Sequence, residues 1–211
     1  MENPGIRRRP VQRRSIDRVE RILDACARLL DEVGLDALTI SDVARSAKVP
    51  AGTIYQFFDG KPGMLRELAL RNLEVLLARL RARVAEEPPL TWSRAAELVL
   101  AETVAMRRSV PGFTVVDFAD TRPGGASFLP AGSVQESGDV LAERLYQFAL
   151  EEAGLPPLPD PYRVMRLAIQ CTAAVLYLTF SATQQGDPAM IEQGRTLLRA
   201  YFVDVASETF R

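Results

Sequence analysis

Residues 39–65, TISDVARSAKVPAGTIYQFFDGKPGML, constrain this chain more than any other stretch, because two very short helices flank a tight break there and lead into a long third one. Thr39 offers a hydroxyl suited to capping a helix start. Ile40, Val43 and Ala44 follow at the i, i+3, i+4 spacing of one helical face, which predicts about two turns. Ala47, Lys48 and Val49 form the break. Pro50, with its fixed φ and missing N–H, suits the first turn of a second helix running through Gly52, Thr53, Ile54, Tyr55, Gln56 and Phe57. Ile54 and Phe58 share an inward face, leaving Ala51, Gly52, Thr53, Tyr55 and Gln56 on or beside the outward one. Small residues permit close approach, Thr and Tyr hydroxyls can hold phosphates, and a Gln amide can bond a base edge. The pattern implies a surface fit for a DNA groove.

At these residues the segment resembles the helix-turn-helix of TetR-type transcriptional regulators. The resemblance is carried by Thr39 and Ile40 opening the first helix, and by Ala44, Ala47 and Val49 round the turn. Gly52, Thr53, Ile54, Tyr55 and Phe58 carry it in the second helix, with Lys61 and Leu65 entering the third. It covers residues 15 to 75 closely. Three positions depart from the family pattern: Lys48 stands where a turn glycine is usual, Pro50 at the usual Ser or Thr cap, and Phe57 where a His, Tyr or Trp often meets phosphate. A non-glycine at the turn has to tolerate a positive φ, which is uncommon. The DNA-binding set expected from motif and resemblance is Arg13, Arg14, Thr39, Arg45, Lys48, Ala51, Gly52, Thr53, Tyr55, Gln56, Phe57 and Lys61. Gln56 and Thr53 are the expected base readers, and Tyr55 is shared between a thymine methyl and a phosphate.

Global charge is uninformative, at a net of -1, but its distribution is not. Seven of the first 21 residues are Arg against three acids, so a basic arm stands beside the recognition element. The competing reading is a solvated charged tail, and residues 1–14 are expected to be disordered in either case. The chain has no histidine, which removes the commonest general base and a leading metal ligand together. Its two cysteines, Cys26 and Cys171, sit far apart among apolar residues and read as buried free thiols. No metal-ligand spacing and no nucleophile motif occur, so neither a metal nor a cofactor is expected. No apolar segment follows the basic start, which gives no support to an export signal. The most apolar run, residues 167–180, is short and interrupted by polar residues, which argues against a membrane span. A cytoplasmic protein is the expectation.

The remaining pattern is helical throughout, giving an all-α fold in which a three-helix head is joined by a long helix to a helical body. Ser15 can cap a first helix over 15–33, with Val19, Ile22, Leu23, Cys26, Leu29, Leu30 and Val33 as its apolar stripe and Gly34 ending it. Lys61 and Pro62 open a helix to about Ala85 that Pro88 and Pro89 stop. Thr91 caps a helix to about Arg108. Residues 109–132 are rich in Gly and Pro and allow only a short helix near 114–120. Ser133 and Glu136 form a capping box for a helix to about Ala153. Asp160-Pro161 and Asp187-Pro188 start two final helices, about 161–185 and 188–208. The domains follow as a head over 15–75 and a body over 76–211.

The penultimate helix is apolar nearly all round, as expected where one face meets its own core and another a second subunit. The alternative is a fully buried core helix of a monomer. The resemblance implies a homodimer built on the last two helices, with Ala168, Ala174, Leu178, Leu197 and Tyr201 as the expected interface. It also implies a small-molecule effector held in the body and a double-stranded DNA operator as the other partner. Candidate lining residues are Trp92, Met106, Phe113, Phe118, Tyr146, Phe148, Met165, Tyr177 and Phe180. Met106, Phe113, Phe118, Tyr146 and Tyr177 are preferred for lying near the 109–132 stretch or on facing helices. The leading expectation is a repressor released from a palindromic operator by a mostly apolar ligand. The competing readings are a helical DNA-binding regulator without an effector, and an all-helical enzyme.

Overall fold

A computed structural model of the chain describes residues 13–87, 90–113 and 134–208. The helices among them are α1 (Arg13–Ala37), α2 (Ile40–Ser46), α3 (Ala51–Phe57), α4 (Gly60–Glu86), α5 (Trp92–Ser109), α6 (Val134–Glu151), α7 (Pro161–Phe180) and α8 (Pro188–Glu208). No strand forms among the described residues. The fold is all-α and divides into two compact units: residues 13–73 with 110–113, and residues 74–109 with 134–208. The expected short helix near 114–120, the Pro88-Pro89 stop and the Ser133 cap lie outside the described residues.

In the first unit α1 buries Val19, Ile22, Leu23, Cys26 and Leu30, four of which leave at most 3% of their surface to solvent. Burial on that scale supplies the main stabilisation of so small a unit, at about 1.5–3 kcal/mol per large apolar side chain. The helix begins earlier than its sequence implies: Arg13 and Arg14 form its first turn, and Ser15 lies inside it. They therefore belong to a helix end and not to a loose arm. Gly34 breaks the helical geometry with φ 76 and ψ 175, and the side chain of Val33 just before it turns to solvent, off the buried stripe. Residues 110–113, which follow α5, pack on α1 within this unit. The Gly112 N–H donates to Asp31 Oδ2 at 2.9 Å, and the Phe113 side chain is fully buried.

In the second unit Leu100 and Val104 of α5, Val175 and Leu176 of α7 and Leu198 of α8 make one core, with Ala96, Cys171, Phe180 and Ile191 packed round it. The polar starts are where the sequence puts them. Thr91 accepts the Arg94 N–H, Asp160 accepts the Arg163 N–H ahead of Pro161, and Asp187 accepts the Ala189 N–H. One end is corrected: α7 stops at Phe180 and not near 185. Its last turn is closed when the Ser181 hydroxyl donates to the Leu178 carbonyl, after which Gly186, at φ 75, lets the chain double back so that the Asp187 N–H reaches the Thr179 carbonyl. By length and a mean hydropathy of 1.2, α7 is the single described helix that matches a membrane span, yet Val164, Val175 and Leu176 on it are buried within the protein.

The α7–α8 contact is close because Gly194 carries no side chain. A Cβ there would stand 2.4 Å from Val175 Cγ1, and Val175, being β-branched, cannot rotate away freely. Gly194→Ala should therefore lower stability by about 1–3 kcal/mol through overpacking, against roughly 1 kcal/mol that alanine contributes as the better helix former. Chemical denaturation checks it, and Val175→Ala added to that variant should cost less than it does alone. An unchanged midpoint would show that α7 and α8 part easily.

Candidate nucleic-acid interface and body cavity

The head is ordered by its caps. The Thr39 hydroxyl accepts the Asp42 N–H at 3.1 Å and donates to Asp42 Oδ2 at 2.5 Å, while Arg45 donates to Asp42 Oδ1 at 2.7 Å. The Thr39 hydrogen bond foremost, with Arg45 adding its charge, holds the Asp42 carboxyl below its ordinary value. The turn after α2 is a Schellman motif. The Val49 N–H reaches the Ala44 carbonyl, the Lys48 N–H reaches the Arg45 carbonyl, and Lys48 sits between them at φ 54. The left-handed conformation that glycine would adopt without cost is thus held here by a lysine. α3 then starts at Pro50 with no side-chain cap and ends where the Phe58 N–H bonds the Ile54 carbonyl.

The outward side of α3 presents Ala51, Gly52, Tyr55 and Gln56, all exposed, with Tyr55 half open to solvent. A Cβ built on Gly52 would meet nothing within 4 Å, so the protein's own packing does not require glycine there. Thr53 and Phe57 are corrections to the expected set. Both are buried, at 8% and 7% exposure, because Thr53, Ile54 and Phe57 fall at i, i+1 and i+4 on the inward stripe. The Phe57 ring packs edge-on to Phe58 with centroids 6.5 Å apart. Lys61 also has an internal partner: its Nζ donates to the Leu35 carbonyl at 2.6 Å, satisfying an oxygen just past the Gly34 break. Arg13, Arg14, Thr39, Arg45 and Lys48 are exposed, Arg45 while paired with Asp42.

Within the body, α4 to α8 line a partly open cavity of about 60 Å³. Trp92, Phe148, Met165, Ala168, Thr172 and Phe202 are among its walls, and α4 contributes Leu80 and Val84. The Trp92 indole is sandwiched between Tyr146 and Phe202, with ring centroids 5.9 Å away on each side, and its N–H donates to the Pro156 carbonyl at 2.8 Å. The preferred ligand residues are not those that line this space. Met106 is buried further along α5, Phe113 belongs to the first unit, and Tyr177 is exposed on the outside of α7. Tyr146 has its face against Trp92 and its hydroxyl accepting the Leu158 N–H. Phe118 lies outside the described residues. Trp92, Phe148 and Met165, from the wider set, do line the cavity, while Thr172 and the small alanines gave no sequence signal.

On the other side of the same helices, α7 and α8 leave apolar groups in solvent. Leu167, Tyr177, Leu178, Leu197 and Val203 are each about half exposed, and Ala174 lies among them. Tyr201 is partly buried. Ala168 belongs instead to the cavity wall, since it shares the inward face of α7 with Met165 and Thr172. Among the described residues, no group of three or more Cys, Asp or Glu side chains is placed to hold a metal ion.

The model of bacterial regulatory proteins of the tetR family matches residues 22–68. A TetR-family transcriptional regulator from Streptomyces coelicolor is 39% identical, with 89% of this chain and 99% of that one aligned at a TM-score of 0.76. An HTH-type transcriptional regulator of Haemophilus influenzae is 36% identical over 73 residues, which are 35% of this chain and 39% of that protein. The chain thus spans about two fifths of the length of such relatives. The transcriptional regulator FadR of Bacillus subtilis, 14% identical, shares the fold with a TM-score of 0.60 over 87% of this chain and 97% of its own. Near-complete alignment at 39% identity, with the helix-turn-helix in the matched segment, assigns the chain to the TetR family of bacterial helix-turn-helix transcriptional regulators.

Proposed function

We propose that this regulator is a homodimeric repressor that grips a pseudo-palindromic operator with two copies of α3 and leaves it when a small apolar molecule fills the body cavity. The outward face of α3 is the observation that carries the first half: Gly52 is open where the fold does not need glycine, and Tyr55 and Gln56 flank it in solvent. Gln56 is the base reader, Tyr55 divides between a base methyl and a phosphate, and Arg13, Arg14, Thr39, Arg45 and Lys48 neutralise or bond the backbone. Lys61 joins them by giving up the Leu35 carbonyl. The two α3 helices of the dimer would sit about 34–36 Å apart on DNA, or a multiple of one turn.

Release is supported by the cavity and by α4. Leu80 and Val84 stand in the cavity wall, and the same unbroken helix begins at Gly60, three residues after α3 ends. The helix has 27 residues, so it is about 40 Å long at 1.5 Å per residue. A fold relative is itself ligand-bound: FadR of Bacillus subtilis is in complex with stearoyl-CoA. Effector and operator must weaken each other by the same factor if the two sites are coupled.

Two substitutions on α3 test the DNA-reading face against an operator selected from a random DNA pool. Gln56→Ala should weaken binding by about 1–3 kcal/mol and relax preference at one base pair per half-site. Gly52→Ala should leave the fold as stable or up to about 1 kcal/mol more so, by helix propensity, while the added methyl group holds the helix off the groove and weakens every operator. Operator titration and thermal unfolding on the same samples separate these outcomes. Full DNA affinity in both variants would remove α3 as the reading element.

A further inference from the structure

We infer that the body cavity selects a small, uncharged, aliphatic or alicyclic molecule that carries a hydroxyl group. The inference rests on the cavity being the effector site and narrows what that effector is. Size comes first: about 60 Å³ is room for roughly four to six water-sized positions at 10–15 Å³ each. Charge is excluded next. Among the described residues no lining side chain is ionisable, and the neighbouring ions are engaged with one another, Arg81 with Glu152 at 2.5 and 2.8 Å and Arg94 with Glu87 and Glu97. A carboxylate or ammonium entering such a space leaves water and finds no counter-ion.

Stacking on the Trp92 indole is excluded because its faces are occupied. Both faces of Trp92 are covered, by Tyr146 at an interplanar angle of 17° and by Phe202 at 12°. Phe148 carries the Arg81 guanidinium 5.9 Å from its centroid. What the wall offers a ligand is mainly methyl and methylene groups from Ala, Val, Leu, Ile and Met, a surface that suits puckered or branched hydrocarbon.

The hydrogen-bond inventory of the wall then fixes the polar group. Thr172 Oγ1 already donates to the Ala168 carbonyl at 2.8 Å and Trp92 Nε1 to the Pro156 carbonyl at 2.8 Å. Each side chain has one proton to donate, so both are spent, while the Thr172 oxygen keeps lone pairs. Among the described residues, the lining side chains therefore offer an acceptor and no free donor. A ligand O–H can donate to Thr172, whereas a ketone, ester or carboxylate oxygen would have to break an existing bond or remain unsatisfied.

Five probes of one ring size test this on the full chain: cyclohexanol, cyclohexanone, cyclohexanecarboxylate, cyclohexylammonium and phenol. Binding is read by calorimetry and by emission from Trp92, the single tryptophan, and release of the selected operator is measured in parallel. Cyclohexanol should bind most tightly, with the ketone and phenol weaker by about tenfold and both ions by at least about a hundredfold. Thr172→Val should shrink the alcohol-to-ketone ratio to about unity, and Thr172→Ser, which keeps the hydroxyl, should retain it. The inference is overturned if an ion or the ketone equals the alcohol in the unaltered protein, if none of the five shows saturable binding, or if the ratio survives Thr172→Val. The expected order of affinities with no loss of operator binding would support the selectivity and defeat the switch.

Discussion

Ala174→Arg should yield a folded monomer that no longer holds its operator. Ala174 is exposed on α7 in the single chain, beside Tyr177 and Leu178 and among the half-exposed Leu197 and Val203 of α8, so the longer side chain has room in the protomer. In the proposed dimer the same position is covered, and a guanidinium there has no carboxylate to meet. An unpaired buried charge costs roughly 3–5 kcal/mol, and a symmetric interface receives two. That is enough to raise the dimer dissociation constant by about a thousandfold or more, since every 1.4 kcal/mol is a factor of ten. Sedimentation velocity should show a single species of half the mass with unchanged helix content, and one isolated head should bind a half-site too weakly to register as operator binding. A variant that stays dimeric and keeps the operator would move the interface away from α7.

Gly112→Ala should produce the largest loss of stability of any glycine-to-alanine change among the described residues. At φ +72 the residue is in the left-handed region, where a side chain costs roughly 1–2 kcal/mol. The added Cβ would also lie 2.9 Å from Ala27 Cα and 3.0 Å from its carbonyl oxygen, and backbone of α1 cannot swing aside as a side chain can. Overpacking adds about 1–3 kcal/mol. The segment would have to lift off α1, breaking the Gly112 to Asp31 hydrogen bond and exposing Phe113, which is fully buried. Urea unfolding followed by circular dichroism measures the drop. Asp31→Ala should cost only the hydrogen bond, about 1 kcal/mol, so the difference between the two variants isolates the steric part; equal losses would show that the close approach to Ala27 is easily relieved.

The head was legible because its rules are short-range. The Thr39 cap and the inward Ile54 and Phe58 follow from spacing within a few residues, the positive φ at Lys48 is implied by the family resemblance at the turn, and the structure has all three. Where reading failed, the missing information was longer in range or finer in angle. In a helix of seven residues a single 100° step decides a side, which is how Thr53 passed for an outward-facing residue while packing inward, and Phe57, placed in the DNA-binding set by its position in the family motif, packs inward as well. Lys61 looked free for phosphate because nothing local indicates the Leu35 carbonyl 26 residues away. The end of α7 depended on a Ser181 hydroxyl and a chain reversal at Gly186, where the sequence up to 185 holds no proline or glycine to mark a stop. The cavity was least legible of all. It is made where five helices fail to touch, so small residues such as Ala168 matter as much as the large aromatic ones that attract attention.

The two cysteines give this regulator a chemical counter of its own state. Cys26 is completely buried in α1, and burial pushes its thiol up to about 12, so it is neither reachable nor ionised in the native protein. Cys171 is partly buried at the margin of the body core on α7, three residues from Ala174 and so beside the face proposed to meet the partner. A thiol reagent such as Ellman's should then find none per chain in the dimer, one in the separated protomer and two once α1 opens. Titrating thiols while diluting or denaturing the unmodified protein would thus report dissociation and unfolding as two successive integer steps, with no label or substitution introduced.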